Sequence, residues 1–173
     1  MGMIRPIREA DARAFLELSN TLDAESDFRL LEPGERRTTV QEEREIIRRV
    51  QESAKDAILV AEVEGRLVGY VAALGGKHRR NQHVAVVVIS VLERYWGQGI
   101  GTQLLEALEV RAREQAVHRL ELTVMVHNDR AIGLYQKMGF EVEGRRRDAL
   151  RLGDRYVDEF CMAKRIGSVG GLG

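Results

Sequence analysis

Along this chain the apolar positions switch between period two, helical spacing and unbroken runs, and each switch marks an element. Residues 3–8 read as a short strand, with Pro6 placing it at a sheet edge. Asp11 stands where it can cap a helix over 12–22 that turns Phe15, Leu16 and Leu18 toward a core. The charged stretch 23–38, with Pro33-Gly34 inside it, reads as a loop. Thr39 and Glu42 have capping-box spacing at the head of a second helix, 40–53, with Val40, Ile46, Ile47 and Val50 inward. Strands over 57–63 and 66–74 meet at a tight turn, Glu64-Gly65. The run "VAVVVISVL" (84–92) is nearly all apolar, which predicts a central strand buried on both faces. A helix over 102–115 gathers Leu104, Leu105, Leu108 and Ala112 on one side. Residues 119–126 alternate strictly, with Leu120, Leu122, Val124 and Val126 on one face. Asn128 caps a short helix over 129–138, and Gly139 sits where a left-handed C-cap belongs. Two or three more strands follow, one over 140–147 that extends to 151 at most and one over 155–164, with a hairpin turn at 152–154.

The order β-α-α-β-β-β-α-β-α-β-β predicts an α/β fold of the mixed α+β kind. It implies one domain over 1–166, with a central mixed sheet of six to seven strands and about four helices. The glycine-rich tail, 167–173, is expected to be disordered.

Between the central strand and the helix after it lies "ERYWGQGIGTQLL", with glycines at 97, 99 and 101. A strand that ends in glycines and opens a helix is a physical anion site. Glycine lets the backbone come close, and the helix N-terminus presents free N–H groups and about half a positive charge. A plain β–α turn is the competing reading. The spacing G-x-G-x-G is not the dinucleotide fingerprint G-x-G-x-x-G, and no lysine follows to make a P-loop.

Composition narrows the partners. With 27 basic and 27 acidic residues the net charge is zero, so nothing favours nucleic acid. The single cysteine, Cys161, excludes an internal disulfide and is compatible with a cytoplasmic location. The start turns charged at once and shows no signal-peptide core, and no membrane span is expected. Histidines 78, 83, 118 and 127 lack ligand spacing, so no metal site is expected. The basic runs 78–80 and 144–148 read as solvated faces.

Two segments, "ISVLERYWGQGIGTQLLEALEVRARE" and "LELTVMVHNDRAIGLYQKMGFEVEGRRRDAL", together resemble the GNAT superfamily of N-acetyltransferases. The glycine turn is similar to that family's acetyl-CoA signature, Q/R-x-x-G-x-G/A, with Gly99 and Gly101 as its glycines and Trp96 at the Q/R position. The resemblance implies that Ile89, Ser90 and Val91 offer backbone groups to the pantetheine arm of acetyl-CoA, and that the Val91 amide supports the oxyanion of a tetrahedral intermediate. It implies that Trp96, Gly97, Gln98, Gly99, Ile100, Gly101 and Thr102 wrap the pyrophosphate. In "N-x-x-A-x-x-L-Y", the resemblance implies that Asn128, Ala131 and Tyr135 border the cofactor and that Tyr135 is also the general acid for the departing thiolate. Without the motif, Asn128 is an N-cap and Tyr135 a core aromatic.

The positions where relatives carry a basic glutamate hold Thr123 and Ser90 here. Glu62, Glu121, Asp158 and Glu159 remain as strand carboxylates, beside a water chain; Glu121 is taken as the candidate base. The implied activity is acetyl transfer from acetyl-CoA to a primary amine of a small molecule or a protein N-terminus, by a monomer or homodimer. A non-catalytic acyl-CoA-binding module and a nucleotide-binding α/β domain are the alternatives. Asp23, Glu25, Asp27, Glu32 and Glu35 would form an acidic rim that draws in a cationic amine.

Overall fold

In the computed structural model, which describes residues 2–167, the chain runs β1 (Met3–Pro6), α1 (Ala12–Glu25), α2 (Val40–Glu52), β2 (Ala57–Val63), β3 (Arg66–Gly75), β4 (Val84–Val91), α3 (Ile100–Glu114), β5 (Arg119–Met125), α4 (Asp129–Lys137), β6 (Glu141–Leu152) and β7 (Arg155–Arg165). The strands form one seven-stranded sheet in the order β1-β2-β3-β4-β5-β7-β6. Pro6 lies in β1, at the edge of that sheet, where a missing N–H does no harm.

Local chemistry explains most boundaries. The capping box of α2 is complete: Thr39 Oγ1 accepts from Glu42 N at 3.2 Å, and Thr39 N donates to Glu42 Oε2 at 2.7 Å. Glu64 and Gly65 have φ of 50° and 74°, the paired left-handed values of a two-residue hairpin turn. Gly139 ends α4 at φ 89°. Asp11 differs from the expectation, because its side chain does not cap α1. It reaches backward, accepting Arg8 N at 2.8 Å and the Arg5 guanidinium at 2.8 and 2.9 Å. That closes a 3-10 turn, Glu9–Asp11, ahead of α1. The helix also runs three residues beyond 22, to Glu25.

Helix α3 packs across β2, β3 and β4 on one face, through the fully buried Leu104 and Leu108. On the other face α1 meets β3, where Phe15 packs edge-on against Tyr70 with ring centroids 5.0 Å apart.

Strand β4 corrects the sequence reading. Val86 and Val88 are 45% and 44% exposed, so it is not buried on both faces. The helices of the second face, α1 and α2, pack on β3 and β2 and leave β4 open there. At the end of β7, Ile166 N and Gly167 N both donate to His118 O, so ordered pairing runs through Gly167. The rest of the expected tail lies outside the described residues.

Candidate active site

Strands β4 and β5 run parallel but pair at three positions only, Val84↔Arg119, Ala85↔Leu120 and Val86↔Glu121. On its other side β4 stays paired with β3 as far as Val91. The two central strands therefore part beyond Val86, and a cleft of about 1180 Å³ opens between them.

The ladder fixes which β4 groups face that cleft. Gly76 N donates to Val84 O and Leu92 N to Val68 O, both at 2.9 Å. In an antiparallel pair, hydrogen-bonded positions alternate. Residues 84, 86, 88, 90 and 92 thus spend their backbone groups on β3, while Val87, Ile89 and Val91 aim theirs at the cleft. Ile89 and Val91 are thus turned to the cleft, whereas the backbone of Ser90, expected to turn there too, faces Tyr70 of β3. Ser90 contributes its side chain instead: Oγ accepts from Arg29 at 2.6 Å.

The glycine turn uses its glycines for two reasons. Gly97 and Gly99 have φ of 73° and 80°, where a side chain is strained. At Gly101 the reason is close approach, since a Cβ there would come 2.9 Å from Leu134 Cδ2 of α4 and push that side chain aside. Gly99 is the N-cap of α3 and carries no side chain to cap it. The N–H groups of Ile100, Gly101 and Thr102 are therefore left for an anion. Trp96, Gly97, Gly99, Ile100, Gly101 and Thr102 all line the cleft, but Gln98 does not. The Gln98 amide folds back to donate to Arg94 O at 3.2 Å.

Helix α4 supplies the opposite wall. Asn128 Oδ1 accepts from Ala131 N at 3.3 Å, so the N-cap role is filled, and the residue also lines the cleft with Ala131 and Tyr135. Tyr135 is only 7% exposed and packs on Phe140. Burial pushes its phenol up to about 12, which keeps the proton on the oxygen at working pH.

Glu121 is not brought to this site. Arg119 Nε holds its carboxylate at 3.0 Å, the same guanidinium binds Glu143, and Glu121 does not line the cleft. Alternation places it on the α1 face of β5, but at the closed, paired end of the β4–β5 seam. Among the described residues, four carboxylates do line the cleft: Asp23, Glu25, Asp129 and Glu159. Glu25 accepts from Glu93 N at 2.7 Å. Glu159 is 8% exposed, sits opposite Met125 of β5, and meets Arg146 Nη1 at 3.0 Å. Register puts Ser90, Met125 and Glu159 on one sheet face, the face of α1.

The expected acidic rim is corrected at Asp23; Glu25, Asp27, Glu32 and Glu35 are exposed. Asp23 is 2% exposed and fully occupied: Oδ1 accepts from Arg29 Nε at 2.6 Å and Oδ2 from Arg36 Nε at 2.8 Å. Burial raises the Asp23 pKa, but the two guanidinium groups outweigh it and hold the carboxyl below its ordinary value. Glu35 accepts from Glu32 N at 2.9 Å. The sequence reading missed Arg36 and the Arg29–Ser90 bond, because both depend on a loop fold that no local pattern encodes.

An L-amino acid N-acetyltransferase, AaaT, of Escherichia coli (strain K12) is 40% identical over 108 residues, 61% of this chain; the match spans 66% of that relative's length. An acetyltransferase of the GNAT family from Streptococcus pneumoniae superposes with a TM-score of 0.93 at 29% identity, covering 96% of this chain and 100% of that one. A putative acetyltransferase, yncA, from Salmonella typhimurium, solved with acetyl-CoA, shares the fold with a TM-score of 0.87 at 20% identity, covering 99% of this chain and 97% of that one. The model of the Acetyltransferase (GNAT) family matches residues 20–140, and the chain belongs to that family, whose cosubstrate is acetyl-CoA.

Proposed function

We propose that this protein carries the acetyl group of acetyl-CoA to the amine of a small molecule, by direct attack within the cleft between β4 and β5. The observation that carries the reading is the parting of β4 from β5 beside an uncapped α3 N-terminus, with Tyr135 in the wall between them. Acetyl-CoA supplies the activated acetyl thioester. The free N–H groups at the head of α3 suit its pyrophosphate, and the outward edge of β4 suits an arm that carries amides. The name of the Escherichia coli relative supports a small-molecule acceptor.

The residues then divide the work. The Val91 N–H points into the cleft as the oxyanion donor. Tyr135, kept protonated by burial, gives its proton to the leaving sulfur. An alkylammonium, with a pKa of about 10, must lose a proton before it attacks. Glu159 replaces Glu121 as the group that takes it, directly or through water, because it is the sheet carboxylate that lines the cleft. The free thiol of Cys161 suits work in a reducing cytoplasm.

The test is thermal unfolding with acetyl-CoA, CoA and ATP, followed by thiol release with an amine panel. A ligand at about 100 times its Kd adds roughly 2.7 kcal/mol. Stabilisation by acetyl-CoA but not ATP, with thiol release on adding amine, is expected. Stabilisation without turnover of any amine would make the protein an acyl-CoA-binding module.

A further inference from the structure

The loop between α1 and α2 sets two guanidinium groups around one buried carboxylate, and it spends them differently. Every nitrogen of Arg29 is engaged: Nε goes to Asp23, and its terminal nitrogens go to Ser90 Oγ at 2.6 Å and Tyr70 Oη at 3.3 Å. Arg36 is not so fully engaged. Its Nε goes to Asp23 Oδ2 at 2.8 Å, and among the described residues neither terminal nitrogen makes a hydrogen bond. Its side chain is 18% exposed and lines the cleft. Both Asp23 oxygens already accept an Nε–H, one from each arginine. Glu43, buried on α2, also feels the Arg36 charge; it forms no ion pair with Arg36 and does not line the cleft.

A guanidinium held by Nε alone presents its two terminal nitrogens as an open planar fork, which matches the two oxygens of a carboxylate. Fixing the Nε to Asp23 orders that fork before anything binds. Resting on the acetyltransferase reading, we infer that Arg36 binds a carboxylate on the acceptor, so that the amine acetylated here belongs to an α-amino acid or a similar amino carboxylate. The cleft then offers a cation, Arg36, and an anion, Glu159, to a zwitterion.

The experiment compares α-amino acids with their α-carboxamides as acceptors, in the wild type, Arg36→Gln and Arg36→Lys, by thiol release. The amide has the less basic amine and so more free base at neutral pH, which sets chemistry against the expected preference. The wild type should favour the acid by about tenfold or more in kcat/KM, the size a lost bidentate contact allows. Arg36→Gln should lose that preference, its fall on the acid exceeding its fall on the amide by about tenfold, and Arg36→Lys should lie between. Unchanged acetyl-CoA affinity of the variants separates this loss from misfolding. If a variant does not fold, the wild-type comparison still decides. Equal use of acid and amide by the wild type, or an equal loss on both in Arg36→Gln, overturns the carboxylate site and leaves the acetyltransferase reading standing. Acetyl-CoA binding with no turnover of acid or amide overturns the carboxylate site, and the acetyltransferase reading falls with it only if no other amine is turned over either.

Discussion

The indole of Trp96 reaches back five residues and donates Nε1–H to Val91 O at 2.8 Å. Val91 is the last residue of β4, and that carbonyl is one of the groups the parted strand leaves unpaired. The Arg130 guanidinium at the start of α4 lies over the same ring, 4.3 Å from its centroid. Trp96 thus ties the end of the central strand, the glycine turn and α4 together across the cofactor end of the cleft. Where relatives carry Gln or Arg, the tryptophan holds the turn by its own hydrogen bond and stack. Trp96→Ala should weaken acetyl-CoA binding about tenfold or somewhat more, since one hydrogen bond and one cation–π contact are each worth about 1 kcal/mol. Titration by calorimetry checks this. The chain has one tryptophan, so quenching of wild-type fluorescence by acetyl-CoA should report the same event.

Tyr135 yields two separable predictions. Tyr135→Phe should lower kcat by about 10²–10⁴, the usual size of general acid help, with little change in acetyl-CoA affinity. The second concerns stability. Its phenol is raised from 10.0 to about 12 in the folded protein. Above pH 10 the unfolded chain loses this proton while the folded chain keeps it. The stabilisation is therefore whole below about pH 10 and is lost as pH rises toward about 12, up to about 2–3 kcal/mol. Melting temperature should fall more steeply across that window in the wild type than in Tyr135→Phe.

Glu159→Gln should reduce kcat/KM by about 10²-fold or more near neutral pH. The loss should shrink as pH rises and the amine deprotonates unaided. A rate ratio of wild type to variant that stays constant from neutral to alkaline pH would mean that Glu159 only positions Arg146, its partner at 3.0 Å.

Asp23 governs the loop. Its carboxyl is held below the ordinary value of 3.8 by Arg29 and Arg36. A depressed carboxylate stabilises above its unfolded pKa, and that contribution disappears as pH falls below about 4. Asp23→Asn should cost about 3–5 kcal/mol, because it strands two partly buried guanidinium groups. Denaturant unfolding of the two proteins at neutral pH and near pH 3 checks both points, and the difference should narrow at low pH.

What the sequence made legible was local chemistry. The Thr39–Glu42 box, the Glu64-Gly65 turn and the stripe of Leu104, Leu105, Leu108 and Ala112 depend on neighbours within a few residues, and their patterns survive in one dimension. The glycine turn was legible because φ and close approach impose residue types directly. Ser90 was misplaced because its orientation follows from the β3–β4 ladder, which pairs it with Tyr70, twenty residues away. Glu121 looked equivalent to Glu159 because alternation assigns a face and says nothing of position along the seam. The seam closes at Val86↔Glu121, and the cleft begins beyond it. Asp23 was placed on the acidic rim for a similar reason: counting charges along 23–35 cannot show that it turns inward to Arg29 and Arg36.

The most direct test of the central claim follows acetyl-CoA, with an α-amino acid panel, to both thiol and acetylated amine. The account predicts that wild-type protein forms the two products in equal amounts and that Tyr135→Phe, while still binding acetyl-CoA, forms them at least about 10²-fold more slowly. Bound acetyl-CoA that no amine consumes, or a Tyr135→Phe protein as fast as the wild type, would contradict it.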